Sequence, residues 1–406
     1  MPDKEYDLLI VGGGLVGASL AAALAPLPLK IAVVEAVPFG SRGQPSFDDR
    51  ITAISEGSRR IFESMGVWAG IGPEASPIKH ILVSDKGRLG ATRLHAEEAG
   101  VEALGWVTPN RRIGKALVDF IGGKANIALY VPAKLKSFTV GDDSVQAEVE
   151  AEEPATLRAK LLIAADGAQS EVRRQLGIEG KKWDYRQTAV VCNLRVERPA
   201  ADTAYERFAD DGPVALLPMG GDKYGLVWVV DTAAAPAVLG LDDASFLEQA
   251  ASRFGGRLGH FIQAGKRVSY PLSMVQAETQ LARRTLIIGN AAHSLHPVAG
   301  QGFNLSLRDV AMLAEVLADA GRDGQDLGAE DVLQGYVDAR RGDQRGTALF
   351  TDVLTRIFAN PLKTVAWGRN AGLLALELLP TTRRTLLRHN MGLGGRLPKL
   401  ARGLPL

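Results

Sequence analysis

The chain has 406 residues, enough for two or three domains and for a core that needs no disulfide or metal to hold it. Its 46% hydrophobic and 23% charged residues exclude a largely disordered chain, and 47 basic against 46 acidic side chains, a net charge of +1, exclude a wholesale nucleic-acid binder. The single cysteine, Cys192, excludes an internal disulfide and fits a reducing cytoplasm, while 45 glycines stand above the usual ~7% share.

Met1–Tyr6 is polar and carries no targeting pattern, and no later stretch reaches the ~18 apolar residues of a transmembrane helix. Asp7–Val11 is an apolar run of buried-strand length, Leu15–Leu24 a small-residue helix, and Leu29–Glu35 a second strand. Strand, helix and strand in that order make a βαβ unit and hence a parallel sheet. Further strands are expected at Ile127–Val131, Val145–Val149, Ala159–Ala164, Ala189–Val196, Val214–Pro218, Tyr224–Val230 and Thr285–Ile288. Between about 185 and 275 the strands lie close together with turn residues between them, which predicts an antiparallel sheet. Helical spacing of apolar residues runs from Asn304 to Ala320 and again from about 329 to 378. The segment 378–406 holds six Lys or Arg and no acid.

Three motifs carry chemistry. Gly12-Gly13-Gly14-Leu15-Val16-Gly17 follows one strand and opens a helix. Gly12 permits the tight turn, Gly14 lets a pyrophosphate approach the backbone, and Gly17 lets helix and strand pack closely. Phosphate oxygens then meet the amides at the positive end of the helix. Glu35 closes the second strand and supplies a carboxylate for ribose hydroxyls. The second motif runs Leu161-Leu-Ile-Ala-Ala-Asp166-Gly167-Ala-Gln-Ser170, a strand entering an Asp-Gly turn, which alone is an ordinary turn. The third, from Thr285 through Gly289-Asn290, His293, His296-Pro297 and Gly300-Gln301-Gly302 to Asn304, is a strand, a Pro- and Gly-rich loop and a helix start. That loop points backbone amides at an anionic or carbonyl-bearing ligand.

Together these segments resemble the three-part FAD fingerprint of the single-component aromatic flavoprotein monooxygenases. The stretches Phe47–Ile54, Glu206–Phe208, Gly212–Pro218 and His296–Asn304 are most similar to the ubiquinone-biosynthesis hydroxylases. With Ile81–Gly87 and Gly368–Leu373 added, the resemblance is closest to the 2-polyprenyl-6-methoxyphenol hydroxylases. It implies an α/β fold: a Rossmann-like FAD-binding domain of the para-hydroxybenzoate-hydroxylase type, an inserted antiparallel-sheet substrate domain and C-terminal helices. The expected division is FAD-binding domain in 1–75, 111–184 and 276–328, substrate domain in 76–110 and 185–275, and a helical region with a basic tail in 329–406.

By the same resemblance Gly12, Gly14, Val16 and Gly17 hold the FAD pyrophosphate and Glu35 the adenosine ribose. Arg50, with Arg111 or Arg112 nearby, approaches the flavin and diphosphate, and Asp166 and Gly167 close around the cofactor. Gly289 and Asn290 contact ribityl and phosphate groups, and Pro297, Gly300, Gln301, Gly302 and Asn304 wrap the flavin ring. The family usually has Asp where this chain has Asn290, so that contact lacks a charge. The implied reaction is hydroxylation of a polyprenylated phenol, 2-polyprenyl-6-methoxyphenol to the 1,4-benzoquinol, through a flavin C4a-hydroperoxide formed from O₂. With one dinucleotide motif in the chain, NAD(P)H is expected as a transient donor. A hydroxylase of another position or substrate, a reductase- or halogenase-like flavoprotein, and a non-catalytic FAD-binding scaffold of a quinone-biosynthesis complex are the alternatives. Halogenases need a lysine and a tryptophan-rich motif that this chain lacks.

No residue is assigned as the catalytic base, and no metal site is expected: His293 and His296 sit in a loop without a third ligand. Cys192 reads as an inert buried thiol. Phe208 and Pro218 are candidates for the substrate pocket; Trp228 and Tyr224 are better explained as core. The C-terminal helices and basic tail suit either a packed subdomain or a peripheral contact with the inner membrane, and other quinone-biosynthesis enzymes are possible partners.

Overall fold

The computed structural model describes residues 4–41, 44, 48, 50–88, 90–209, 212–295, 300–359 and 363–406. The first strand, Lys4–Val11, pairs in parallel with Ile31–Val34 on one side and Ala155–Ala164 on the other. Ile127–Tyr130 and Thr285–Ile287 extend this parallel sheet outward. Both faces are covered, which explains the unbroken apolar runs of the sequence. Leu8 and Ile10 face a core built with the helices Leu15–Leu24, Asn110–Gly122 and Gln301–Arg322. Leu9 and Val11 face a second core, closed by the antiparallel strands Ala133–Val140 and Val145–Ala151.

Among the described residues a second sheet has nine strands, in the order 293–294, 268–277, 180–196, 223–231, 214–218, 203–208, 80–85 and 91–95, with 261–264 also on 180–196. Its pairings are antiparallel except that between 203–208 and 80–85. One face buries Val190, Cys192, Leu226 and Trp228 against Phe246 and Phe254 of the helix Asp243–Phe254. The expected divisions at 184/185 and 275/276 both fall inside strands, Gly180–Val196 and Val268–Ala277, so this sheet reaches into both flanking segments. Residues 76–110 are likewise shared. Ser76–Ile78 and Gly105–Pro109 join Ile51–Ser55 in a three-stranded sheet, while His80–Asp85 and Ala91–His95 join the large one.

The helical C-terminal region consists of Glu330–Ala359, Lys363–Leu378 and Pro380–Asn390. A buried ion pair fixes the second of these helices: Arg369 donates to Asp85 at 2.8 Å, with side chains 3% and 1% exposed. Asn370 accepts from the Gly90 amide at 2.8 Å, and the Thr92 hydroxyl donates to the Leu373 carbonyl at 2.7 Å. The Gly368–Leu373 segment is thus a clamp onto the 80–95 hairpin.

Candidate functional site

One cavity of about 1510 Å³ runs between the parallel sheet, the large antiparallel sheet and the C-terminal helices. Single-ligand pockets occupy roughly 300–1,000 Å³, so this one has room for a large ligand and a second one beside it. Its two ends differ chemically.

The first end is built by glycines and helix N-termini. Gly12 has φ +100°, and a Cβ there would meet the Ala165 carbonyl at 2.5 Å; a Cβ on Gly17 would stand 1.9 Å from the Gly12 oxygen. Only glycines let this turn close and the helix Leu15–Leu24 begin at the cavity wall. That helix has neither a side-chain cap nor an acid in its first turn, and the same holds for Gln301–Arg322, which starts from Gly300 in the left-handed region. Gly12, Gly14, Val16, Gly300, Gln301 and Gly302 all line the cavity. Two helix N-termini with no anionic side chain to satisfy them make an electropositive backbone surface suited to phosphate and carbonyl oxygens.

Glu35 lines the same end and is 8% exposed. Its carboxylate accepts from the amides of Gly13 at 2.7 Å and Val37 at 2.8 Å, which fixes it beside the glycine turn. Asp166 Oδ2 accepts from the amides of Glu171 and Val172 at 2.8 and 3.2 Å, while its buried Oδ1 has no partner among the described residues. An orphaned carboxylate oxygen on a cavity wall is the mark of a missing donor. The glycine cradle, the uncapped helix ends, Glu35 and this oxygen together fit a dinucleotide with its pyrophosphate and hydroxyl groups.

Arg50 lies at the edge of the cavity, paired with Asp48 and stacked 4.7 Å from the centre of the Tyr270 ring. Asp48 in turn accepts from the Asn110 amide at 3.3 Å, and Asn110 accepts from Thr52 at 2.6 Å. Arg111 and Arg112 do not line the cavity, and Arg112 pairs with Glu74 at 3.0 Å on the helix's outer side. Gly167 and Asn290 are lining residues; Gly289, φ +61°, instead packs against Val16, where a Cβ would sit 3.0 Å from Cγ1. Pro297 and His296 lie outside the described residues. Asn304 lines the cavity but spends its side chain on the backbone: it accepts from Ser55 at 2.9 Å and donates to Ala53 and Gly300 at 2.9 and 2.8 Å. It ties the helix start to the strand Ile51–Ser55.

The second end is apolar, walled by Val83, Ala204, Phe208, Ala215, Leu217 and Val227 of the large sheet. Phe350, Leu354, Leu373, Leu376, Leu387 and Met391 of the C-terminal helices close it. Pro218 is not part of it. The strand alternates, so Ala215 and Leu217 face the cavity while Val214, Leu216 and Pro218 are buried on the other side. Trp228 and Tyr224 are 0% and 1% exposed in the core beneath the sheet. Burial pushes the Cys192 thiol up to about 12, which leaves it unreactive.

His293 is committed elsewhere: its Nε2 lies 2.7 Å from Asp309, whose other oxygen accepts from Arg340 at 2.6 Å. Arg340 and Arg308 both hold Asp343, at 2.6 and 2.7 Å. This buried network bolts the helix Glu330–Ala359 to Gln301–Arg322. Sequence reasoning did not anticipate the helical wall or the Asp48–Tyr270 seat of Arg50, because both arise from contacts between distant segments. Glu206 has no role in the sequence reading, because an acid beside Arg207 in the strand Thr203–Phe208 carries no local signal that it faces a cavity.

Residues 5–347 match the family model described as an FAD binding domain. The chain is 37% identical over 408 residues to the ubiquinone hydroxylase UbiL of Rhodospirillum rubrum, covering 100% of this chain and 94% of that protein. It is 31% identical to the 3-demethoxyubiquinol 3-hydroxylase of Escherichia coli, covering 97% of this chain and all of the other. Among solved structures, p-nitrophenol 4-monooxygenase PnpA from Pseudomonas putida DLL-E4 superposes with a TM-score of 0.79 at 18% identity, covering 97% and 100% of the two chains. At that identity the likeness speaks for the fold, which is that of the flavin monooxygenases. The chain belongs to the FAD-dependent hydroxylases of ubiquinone biosynthesis.

Proposed function

We propose that this hydroxylase acts on a polyprenylated phenol, converting 2-polyprenyl-6-methoxyphenol to the corresponding 1,4-benzoquinol with NAD(P)H and O₂. The observation that carries it is the two-ended cavity, a polar glycine-and-amide end joined to an apolar hall roofed by helices. FAD fits the first end: Gly12, Gly14 and Val16 as the pyrophosphate cradle with Gly17 packed behind the turn, Glu35 at the ribose, and Arg50, Asp166, Gly167 and Asn290 along its length. Gly300, Gln301, Gly302 and Asn304 would border the flavin ring. When bound, FAD supplies the redox chemistry, taking reducing equivalents from NAD(P)H and activating O₂ for transfer to an aromatic ring. The protein's share is to hold the ring in the apolar hall, with its prenyl tail against Leu354, Leu373 and Leu376, and to keep water away.

The name of the Escherichia coli relative points to hydroxylation at another ring position, which is the competing reading. Deleting the gene and identifying the accumulating quinone precursor by mass spectrometry separates the two. A prenylated methoxyphenol supports the assignment, a demethoxyquinol precursor supports the alternative, and an unchanged quinone pool refutes both.

A second reading concerns where the substrate is met. No helix among the described residues is long and apolar enough to cross a membrane. The helices over the hall nevertheless expose Leu349, Val353, Trp367, Leu374, Leu378 and Leu379, with Trp367 at 78% and Leu378 at 77%. Of the six basic residues after 378, Arg383 pairs with Glu98, Arg396 with Glu315 and Lys399 with Asp319. Arg384, Arg388 and Arg402 have no acidic partner among the described residues. An apolar face beside unpaired cations suits peripheral contact with anionic lipid. Flotation with phosphatidylglycerol-containing vesicles tests it: Trp367→Ser/Leu378→Ser should float less than wild type, and equal failure of both to float refutes the contact.

A further inference from the structure

Among the described residues the apolar hall holds one acid, Glu206. Glu206 lies in the strand Thr203–Phe208, directly across from Val83 on one side and Ala215 on the other, and all three line the cavity. It forms no hydrogen bond or ion pair among the described residues. The other acids of the cavity are all occupied near its polar end: Glu35 by two amides, Asp166 by two amides, Asp48 by Arg50 and Glu171 by Arg174. Its side chain is half-buried and opens to the cavity, so its oxygens stand ready to accept from a ligand's donor in an otherwise apolar wall.

We infer that Glu206 is the group that receives the substrate's hydroxyl, accepting its hydrogen bond and then taking its proton as the ring is oxygenated. The inference rests on the proposed reading of the cavity as a phenol hydroxylase site. The phenol O–H bond breaks, an O–H bond forms on the Glu206 carboxylate, and the electron pair stays on the ring oxygen. That pair raises electron density at the ortho and para carbons, where an electrophilic oxygen must attach. The oxygenated carbon then gives up its own proton as aromaticity returns, and Glu206 hands its proton back to the ring oxygen. Overall the phenol, O₂, NAD(P)H and one proton become the diphenol, water and NAD(P)⁺.

The surroundings suit a base that works near neutrality. Burial alone pushes the Glu206 carboxyl up to about 7. None of the ionisable groups on the elements around it pairs with it among the described residues. Asp85 on the neighbouring strand is held by Arg369 of the roof helix, and Arg88 stands 3.5 Å from the same carboxylate. Arg207 does not line the cavity and lies within reach of Gly255. Tyr205, whose hydroxyl is itself pushed up by burial, packs in the core below the sheet. The facing helices offer Phe350, Leu354, Leu373 and Leu376.

The test compares the wild-type holoenzyme with Glu206→Gln and Glu206→Asp, using 2-methoxy-6-prenylphenol as the probe and quantifying the diphenol from pH 5.5 to 9. Wild-type kcat/KM should rise through about pH 7, as the carboxylate form appears. Glu206→Gln should lose that limb and fall roughly 10²–10³-fold, the usual share of a general base, with flavin content unchanged. Glu206→Asp keeps the carboxylate and should keep the limb at a reduced rate, which guards against a Gln variant that merely folds badly. A Gln variant within threefold of wild type, or one that keeps the limb, overturns the role of Glu206 alone, and so does an Asp variant without the limb. A flavin-loaded wild type that makes no diphenol overturns the phenol hydroxylase reading and this inference with it.

Discussion

Replacing Arg369 by Met tests whether the helix Lys363–Leu378 is held over the cavity by its buried ion pair. In the native protein the Arg369 guanidinium lies 2.7 Å from Asp85 and also donates to the Ile357 carbonyl at 3.1 Å. Met keeps much of the side-chain volume but leaves the Asp85 carboxylate, 1% exposed, with the Asn370 amide at 3.4 Å and Arg88 at 3.5 Å among the described residues. Removing one partner of a buried pair costs about 3–5 kcal/mol, and these two remaining donors put the loss near the lower end, about 3 kcal/mol. For a chain of 406 residues that is a fall in Tm of about 3–4 °C. Because Leu373 and Leu376 ride on this helix and line the hall, KM for a prenylated phenol should rise while flavin content stays at the wild-type level. Thermal unfolding followed by circular dichroism, together with steady-state kinetics, measures both effects. The double variant Asp85→Asn/Arg369→Met removes the stranded charge and should recover at least half of the lost stability. An Arg369→Met protein within about 0.5 kcal/mol of wild type would refute the clamp, as would a double variant no more stable than the single one.

Further expectations follow from the same structure. Gly17→Ala puts a methyl 1.9 Å from the Gly12 oxygen, so the protein should purify without flavin absorbance; stoichiometric flavin in the variant would contradict the cradle. Glu35→Gln sets an NH2 donor against one of the Gly13 and Val37 amides and leaves the other only a neutral acceptor, and FAD affinity measured by fluorescence titration should weaken about 5–150-fold, from about 1–3 kcal/mol. Burial pushes Asp309 and Asp343 up, but Arg340 with His293, and Arg308 with Arg340, hold both below the usual carboxylate range. Groups depressed in the folded state stabilise it fully above the unfolded value near pH 4, and that stability is lost as pH falls. The gap in guanidinium midpoint between wild type and Arg340→Met should therefore be constant from pH 5 to 7 and narrow below pH 4. A gap unchanged at pH 3 would show that these charges are not what binds the two helices. Cys192 should stay unmodified by a thiol reagent at pH 8 until the protein is unfolded, since burial holds its thiol at about 12.

The part of this protein that sequence alone determined is the part built from local rules. The glycine turn, the strand before it and the helix after it are dictated by the left-handed backbone of Gly12 and the close approach at Gly17, all between Lys4 and Leu24. Val214–Pro218 was legible to the residue because alternation and flanking turns are local signals, and the long helix Gln301–Arg322 announced itself by periodicity. Which face of a strand meets the ligand was not legible. Alternation says that Leu217 and Pro218 point opposite ways, but not which of them looks into the hall. The same gap hid the roof: Arg369 finds Asp85 across 284 positions, and no spacing rule reaches that far. The basic tail shows the limit most clearly, since six uncompensated charges in the sequence become three once Glu98, Glu315 and Asp319 are brought beside them. Local sterics and periodicity fix the cofactor cradle; long-range packing decides what stands opposite it, and so what the enzyme can hold.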